Sequence, residues 1–141
     1  MPRGAVWLLR VMLLTTGLLP WMAWCLPDLL HQAADQSLSS FCHQRPERSL
    51  TWMGAQMLLC SRCAGVFAGL ALGALPAPPH LGRRWGMWIG LAVGLMVTDV
   101  LVQDWVRHTP WHATRIITGL FLGWVVAGGA VTLLVRSDRL S

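Results

Sequence analysis

From Ile116 to Val135 the chain reads IITGLFLGWVVAGGAVTLLV, with no charged residue. As a helix this run rises about 30 Å, the thickness of a bilayer's hydrocarbon core. In lipid each backbone polar group must be satisfied internally, so such a segment points to helices that span a membrane. Three more apolar stretches accompany it. One covers about 11–26 and follows Arg3 and Arg10. Another covers about 57–75 and is closed by a breaker that continues through Pro76. The last covers about 86–105, with Asp99 inside it. Only 12% of the 141 residues are charged and 55% are hydrophobic, whereas a soluble domain carries roughly 25% charge. Disordered, collagen-like and disulfide-scaffold chains are excluded by the same figures. The expected fold is all-α: a polytopic membrane protein, one domain over 1–141, built as a four-helix transmembrane bundle.

The first stretch has the basic start and apolar centre of a signal peptide, but Pro20–Cys25 offers no small-x-small cleavage site. It is therefore read as a retained helix, with both termini on one side. Net charge is +5 and every basic residue is an arginine. The arginines fall in ones and twos between apolar blocks, which argues against nucleic acid as a partner. Arg3, Arg10, Arg83, Arg84, Arg136 and Arg139 lie on the terminal side; Arg45, Arg48, Arg107 and Arg115 lie on the other. The excess favours cytoplasmic termini in a multi-pass protein of the plasma (inner) membrane. Most tryptophans, among them Trp7, Trp85, Trp105 and Trp111, fall near span ends, where an amphipathic ring is favoured.

Glycines recur at a spacing of four: Gly65, Gly69 and Gly73 in the second span, Gly86, Gly90 and Gly94 in the third, Gly119 and Gly123 in the fourth. Each set forms one helical stripe of the Gly-xxx-Gly kind, which lets backbones approach closely in lipid. The short link between spans two and three makes their facing stripes the expected seam. The stripes could also support a homo-oligomer.

The residues able to do chemistry gather at one membrane face. Cys42 and His43 lie in the loop after the first span, and Cys60 and Cys63 follow near the start of the second. Read on a helix, Cys60 and Cys63 share a face. A helix N-terminus lowers a thiol pKa, and Arg62 stands between them. Cys42, His43, Cys60 and Cys63 make a Cys₃His set suited to zinc. Cys42 and His43 are adjacent, so one of them could yield its place to Asp99, His108 or His112. Cys25 reads as an inert apolar residue. Asp99 lies about 10 Å inside its span end, a depth at which an ionisable group is costly unless paired. Gln103 is one turn on, and Arg115 is the expected counter-ion. Asp99, Gln103 and Arg115 are the candidate cofactor-binding residues.

The pattern Cys42-His43-Gln44-x-Pro46-x-Arg48-Ser49, with Gly54 and then Cys60-x-Arg62-Cys63-x-Gly65, resembles a family of small bacterial and archaeal membrane proteins catalogued as domain of unknown function 2085. That family also has an Asp-Gly-x-x-Gln stretch and an Arg-x-x-Thr-Gly. Asp99 and Gln103 match the former, with Val100 in place of glycine; Arg115, Thr118 and Gly119 match the latter. The resemblance covers about 40–125 and implies a membrane protein, with no activity attached.

Three functions compete. The first is a metal site, most simply zinc, at one membrane face. The second is a quinone-linked thiol–disulfide oxidoreductase, with Cys60, Cys63 and Cys42 as the redox residues and quinone as cofactor. The third is a small transporter or a subunit assisting assembly of a membrane complex. Phosphate-loop and Ser-His-Asp signatures are missing.

Overall fold

The computed structural model describes residues 3–22, 32, 36–40, 42, 46–52, 55–75, 84–107 and 111–140. Among the described residues, three long helices, α1 Arg3–Met22, α3 Trp85–Leu101 and α4 His112–Leu140, are joined by a shorter one, α2 Ser61–Gly73. A π-helical turn, Val102–Arg107, extends α3. Ahead of α2 lie a 3-10 turn, Pro46–Arg48, and an antiparallel pair, β1 Ser49–Trp52 and β2 Ala55–Cys60. Their register pairs Ser49 with Cys60 and Thr51 with Gln56, with an irregularity between Ser49 and Thr51.

Among the described residues, three segments are long and apolar enough to cross a membrane: Gly4–Met22, Trp85–Trp105 and His112–Ser137. The second predicted span differs. Residues 57–60 of its 57–75 run belong to β2, and α2 has only 13 residues, about 20 Å of rise. The reason is that Met57, Leu58 and Leu59 form a short, wholly apolar run, which periodicity cannot assign to strand or helix. All three are buried. Pairing with β1 settles their conformation. The first helix begins at Arg3, well before the expected start near 11, and takes Arg10 into its length; residues 23–26 lie outside the described residues. The last helix begins four residues before Ile116, so His112 and Arg115 occupy its opening turns.

α4 is the shared partner: α2, α3 and α1 all pack on it, and α1 also packs on α2. Backbone contact between α2 and α4 is close. A Cβ at Gly65, Gly69, Gly119 or Gly123 would fall within 3.0 Å of the opposing helix's backbone. The expected seam between α2 and α3 is not found. Gly86, Gly90 and Gly94 have nothing within 4 Å of a built Cβ, because α3 turns that stripe outward. α3 is held to α4 by large side chains instead: Trp85 Nε1 donates to Val125 O at 3.1 Å, and Trp88 meets Phe121 edge-on at 6.3 Å. Its outer face carries exposed Met87, Leu91, Leu95 and Val97, as expected of a lipid-facing helix.

Candidate metal centre and its polar neighbour

β2 ends at the first residue of an N-terminal helix turn. Cys60 is the N-cap of α2, with φ −66° and ψ 155°, and Cys63 lies in the first turn. The two cysteines therefore do not share a helical face, as their spacing suggested; one sits at the strand's end and the other on the helix it opens. Cys42 joins them from the preceding segment, anchored by its N–H on Leu38 O at 3.0 Å. The Cys60 N–H donates to Cys42 Sγ at 3.3 Å. The three Sγ atoms lie within 4.8 Å of one another, and all three cysteines are free. Leu38, Leu58, Leu59 and Phe67 pack around them.

This environment favours a thiolate at Cys60, whose pKa falls from 9.0 to about 5. The chief cause is the hydrogen bond from the Cys63 thiol; burial opposes it, and the backbone N–H of Cys63, the Cys42 thiol and the backbone N–H of Arg62 add to it. Helix N-termini present such unpaired N–H groups. Soft, close, partly ionised sulfurs fit a thiophilic metal such as zinc, and N–H···S bonds steady thiolate ligands. Three sulfurs leave one tetrahedral position open. His43 and His108, both expected candidates, lie outside the described residues, as does Cys25. Among the described residues the converging group is the cysteine trio alone. Asp99 and His112 are engaged elsewhere.

A polar cluster lies next in sequence and adjoins this end of the helices. Arg62 Nε donates to Asp99 Oδ2 at 3.0 Å, with side-chain exposures of 12% and 8%. Arg115, the counter-ion expected for Asp99, is committed differently. Its Nε donates to Gln103 Oε1 at 2.7 Å and its Nη2 reaches Asp104 Oδ1 at 3.2 Å. The geometric reason is the π-helical turn, which carries Gln103 and Asp104 to the start of α4, while Asp99, a turn earlier, meets α2. Gln103 uses its whole amide. Nε2 donates to Asp99 Oδ1 and to Thr114 Oγ1, and Oε1 accepts from the Trp111 N–H and from Arg115. Arg48 also reaches Asp104, at 3.4 Å.

Ser61 ties the cluster to the hairpin. Its hydroxyl donates to Arg48 O at 3.1 Å, so its oxygen accepts from His112 Nδ1 at 3.2 Å. Arg48, Ser61, Thr114 and the pairing role of Arg62 escaped sequence reasoning. One signal was available: Arg62 stands inside an apolar run, and a charge there calls for a partner such as Asp99.

The comparisons agree with a membrane-protein family and carry no activity. A 95-residue stretch is 30% identical to the uncharacterized protein MJ1492 of Methanocaldococcus jannaschii, covering 62% of this chain and 60% of that protein. The chain thus spans about 60% of that relative's length. No solved structure matches. The model of the family described as predicted membrane protein (DUF2085) matches residues 42–128, a stretch that contains the three clustered cysteines and the polar cluster. This chain belongs to that family of predicted membrane proteins.

Proposed function

We propose that this protein is a plasma-membrane helical bundle that binds one zinc ion through Cys42, Cys60 and Cys63 at one face of the bilayer. The observation that carries the reading is the meeting of three free thiols within 4.8 Å, brought from two sides of a hairpin. Thiolates this close repel one another unless a cation neutralises them, and zinc has the matching softness and geometry. The ion would clamp the segment before the hairpin to the start of α2. His43, the imidazole of the Cys₃His set, is the candidate for the fourth ligand. In this reading α2, with the hairpin above it, serves as the fourth element of the bundle, and both termini face the cytoplasm. The test is metal content on protein purified in detergent without chelator. About one zinc per chain is expected, lost in Cys60→Ser and Cys63→Ser; equal metal in both variants and the parent would refute it.

A second reading, thiol–disulfide exchange, is supported by Cys60 and Cys63 lying within reach of each other at a helix N-terminus. Oxidation would join their sulfurs; two electrons and the Cys63 proton would pass to a quinone, which takes a second proton from water to give the quinol. Alkylation under native conditions followed by mass spectrometry separates the two. A metal-protected, reduced trio favours the first; a Cys60–Cys63 disulfide formed on adding quinone favours the second.

A further inference from the structure

Two polar routes run from the start of α4 to one residue ahead of the hairpin, Arg48. The inner route passes through Ser61, which is wholly buried. A hydroxyl has one proton, and that of Ser61 goes to Arg48 O at 3.1 Å. His112 Nδ1, at 3.2 Å, therefore carries its own proton and donates it to Ser61 Oγ. The outer route passes through Asp104, whose Oδ1 takes Arg115 Nη2 at 3.2 Å and Arg48 Nη2 at 3.4 Å. His112 and Arg115 stand three apart and so neighbour each other on one face of α4. That face grips both the carbonyl and the guanidinium of Arg48.

The gripped point is the junction that carries the thiols. Arg48 ends the 3-10 turn, and the next residue, Ser49, pairs with Cys60 across the hairpin. Ser61 follows Cys60 and opens α2, with Cys63 in the same turn. Cys42 comes from the chain ahead of Arg48, and the Cys60 N–H holds its sulfur at 3.3 Å. The Ser61–Arg48 bond thus closes the base of the hairpin between the chain that brings Cys42 and the turn that carries the other two thiols. A polar group that fixes a ligand's place raises affinity, because the ordering precedes the ion. His112 can do this without ligating: the converging thiols do not include it.

We infer that His112 is a positioning residue of the cysteine site, holding the Cys42 segment against the Cys60–Cys63 turn through Ser61 and Arg48. Its effect on metal rests on the zinc reading above; its effect on the distance between the thiols does not.

The test is zinc affinity of the full chain in detergent, by competition with a chromophoric chelator. Beside it runs the rate at which diamide joins Cys42 to Cys60 or Cys63 in chelator-treated protein. His112→Ala should weaken zinc about tenfold or more, the range for losing a group that supports a ligand, and slow the Cys42 disulfide severalfold. Ser61→Ala cuts the same route and should match it. His112→Asn, whose amide can donate from close to the place of Nδ1, should restore both. Trp85→Phe removes a donor to α4 at Val125, about 20 Å along the helix from His112. It should change neither readout. Parent affinity and parent rate in His112→Ala would overturn the role. So would equal losses in His112→Ala and Trp85→Phe, or no restoration by His112→Asn. A parent that binds no zinc, with the disulfide still slowed in His112→Ala and restored in His112→Asn, would refute the ion and uphold the positioning.

Discussion

α2 and α3 carry the same glycine spacing and use it in opposite ways. In α2, Gly65, Gly69 and Gly73 meet Ile116, Leu120 to Trp124, and Ala127 to Gly128 of α4. In α3, Gly86, Gly90 and Gly94 meet nothing. The difference lies in the partner. α4 offers Gly119 and Gly123 to α2, so two bare backbones can touch. To α3 it offers Phe121 and the carbonyl of Val125, which engage Trp88 and Trp85. A spacing of four gives a helix a smooth stripe; what faces that stripe decides whether it becomes a seam. The α2–α4 seam is backbone against backbone with no room to adjust, while α3 is attached by side chains at one end and by a polar network at the other.

That contrast is open to direct attack. The largest effect should come from Gly69→Leu or Gly123→Leu, which drives a side chain into opposing backbone. Overpacking costs about 1–3 kcal/mol where neighbours can shift, and here they are main chain, so little monodisperse protein should survive size-exclusion chromatography. The same change at Gly90 should leave yield and thermal unfolding as in the parent; an equal loss there would mean that α3 also buries its stripe. Next comes Arg62→Ala, which strands Asp99 and should cost about 3–5 kcal/mol, the range for breaking a buried pair from one side. Asp99→Ala added to it should recover part of that loss. A smaller effect is expected of pH. Cys60 is a thiolate above its pKa of about 5, so near neutrality its proton no longer competes with metal, whereas the hydrogen bond to Cys60 and burial keep the Cys63 thiol protonated. As pH falls from about 8 to about 6, affinity for zinc should weaken as the Cys63 proton competes with the ion; affinity unchanged over that range would contradict this. Smallest of all, Trp105→Ala on the 78% exposed position should change stability by no more than about 0.5 kcal/mol.

Much of this was legible because apolar length and composition speak plainly for helices in lipid. The cores of α1, α3 and α4 follow from apolar runs of spanning length, wholly uncharged in α4 and carrying Asp99 in α3. The hairpin was hidden for a physical reason: Met57-Leu58-Leu59 is apolar on every side, so neither a period of two nor one of 3.6 shows. Its discovery moves Cys60 from a helix face to a helix cap. Gln103 could be matched to Asp99 because four residues make one turn. The choice of Arg62 rather than Arg115 for Asp99 could not be read that way. It depends on which helix α3 faces at that level and on the π-helical turn that advances Gln103 and Asp104 toward α4. The seam shows the same limit, since a stripe is visible in one strand of text and its partner is not.

The central claim is that three thiols converge on one metal. Cobalt(II) substitution tests it most directly, because the sulfur-to-cobalt charge-transfer band grows with each thiolate bound. Three thiolates per cobalt are expected in the parent protein, falling to two in Cys42→Ser, with no cobalt–thiolate band in Cys60→Ser or Cys63→Ser. A parent spectrum of two thiolates or fewer, or a Cys42→Ser spectrum identical to it, would contradict the convergence.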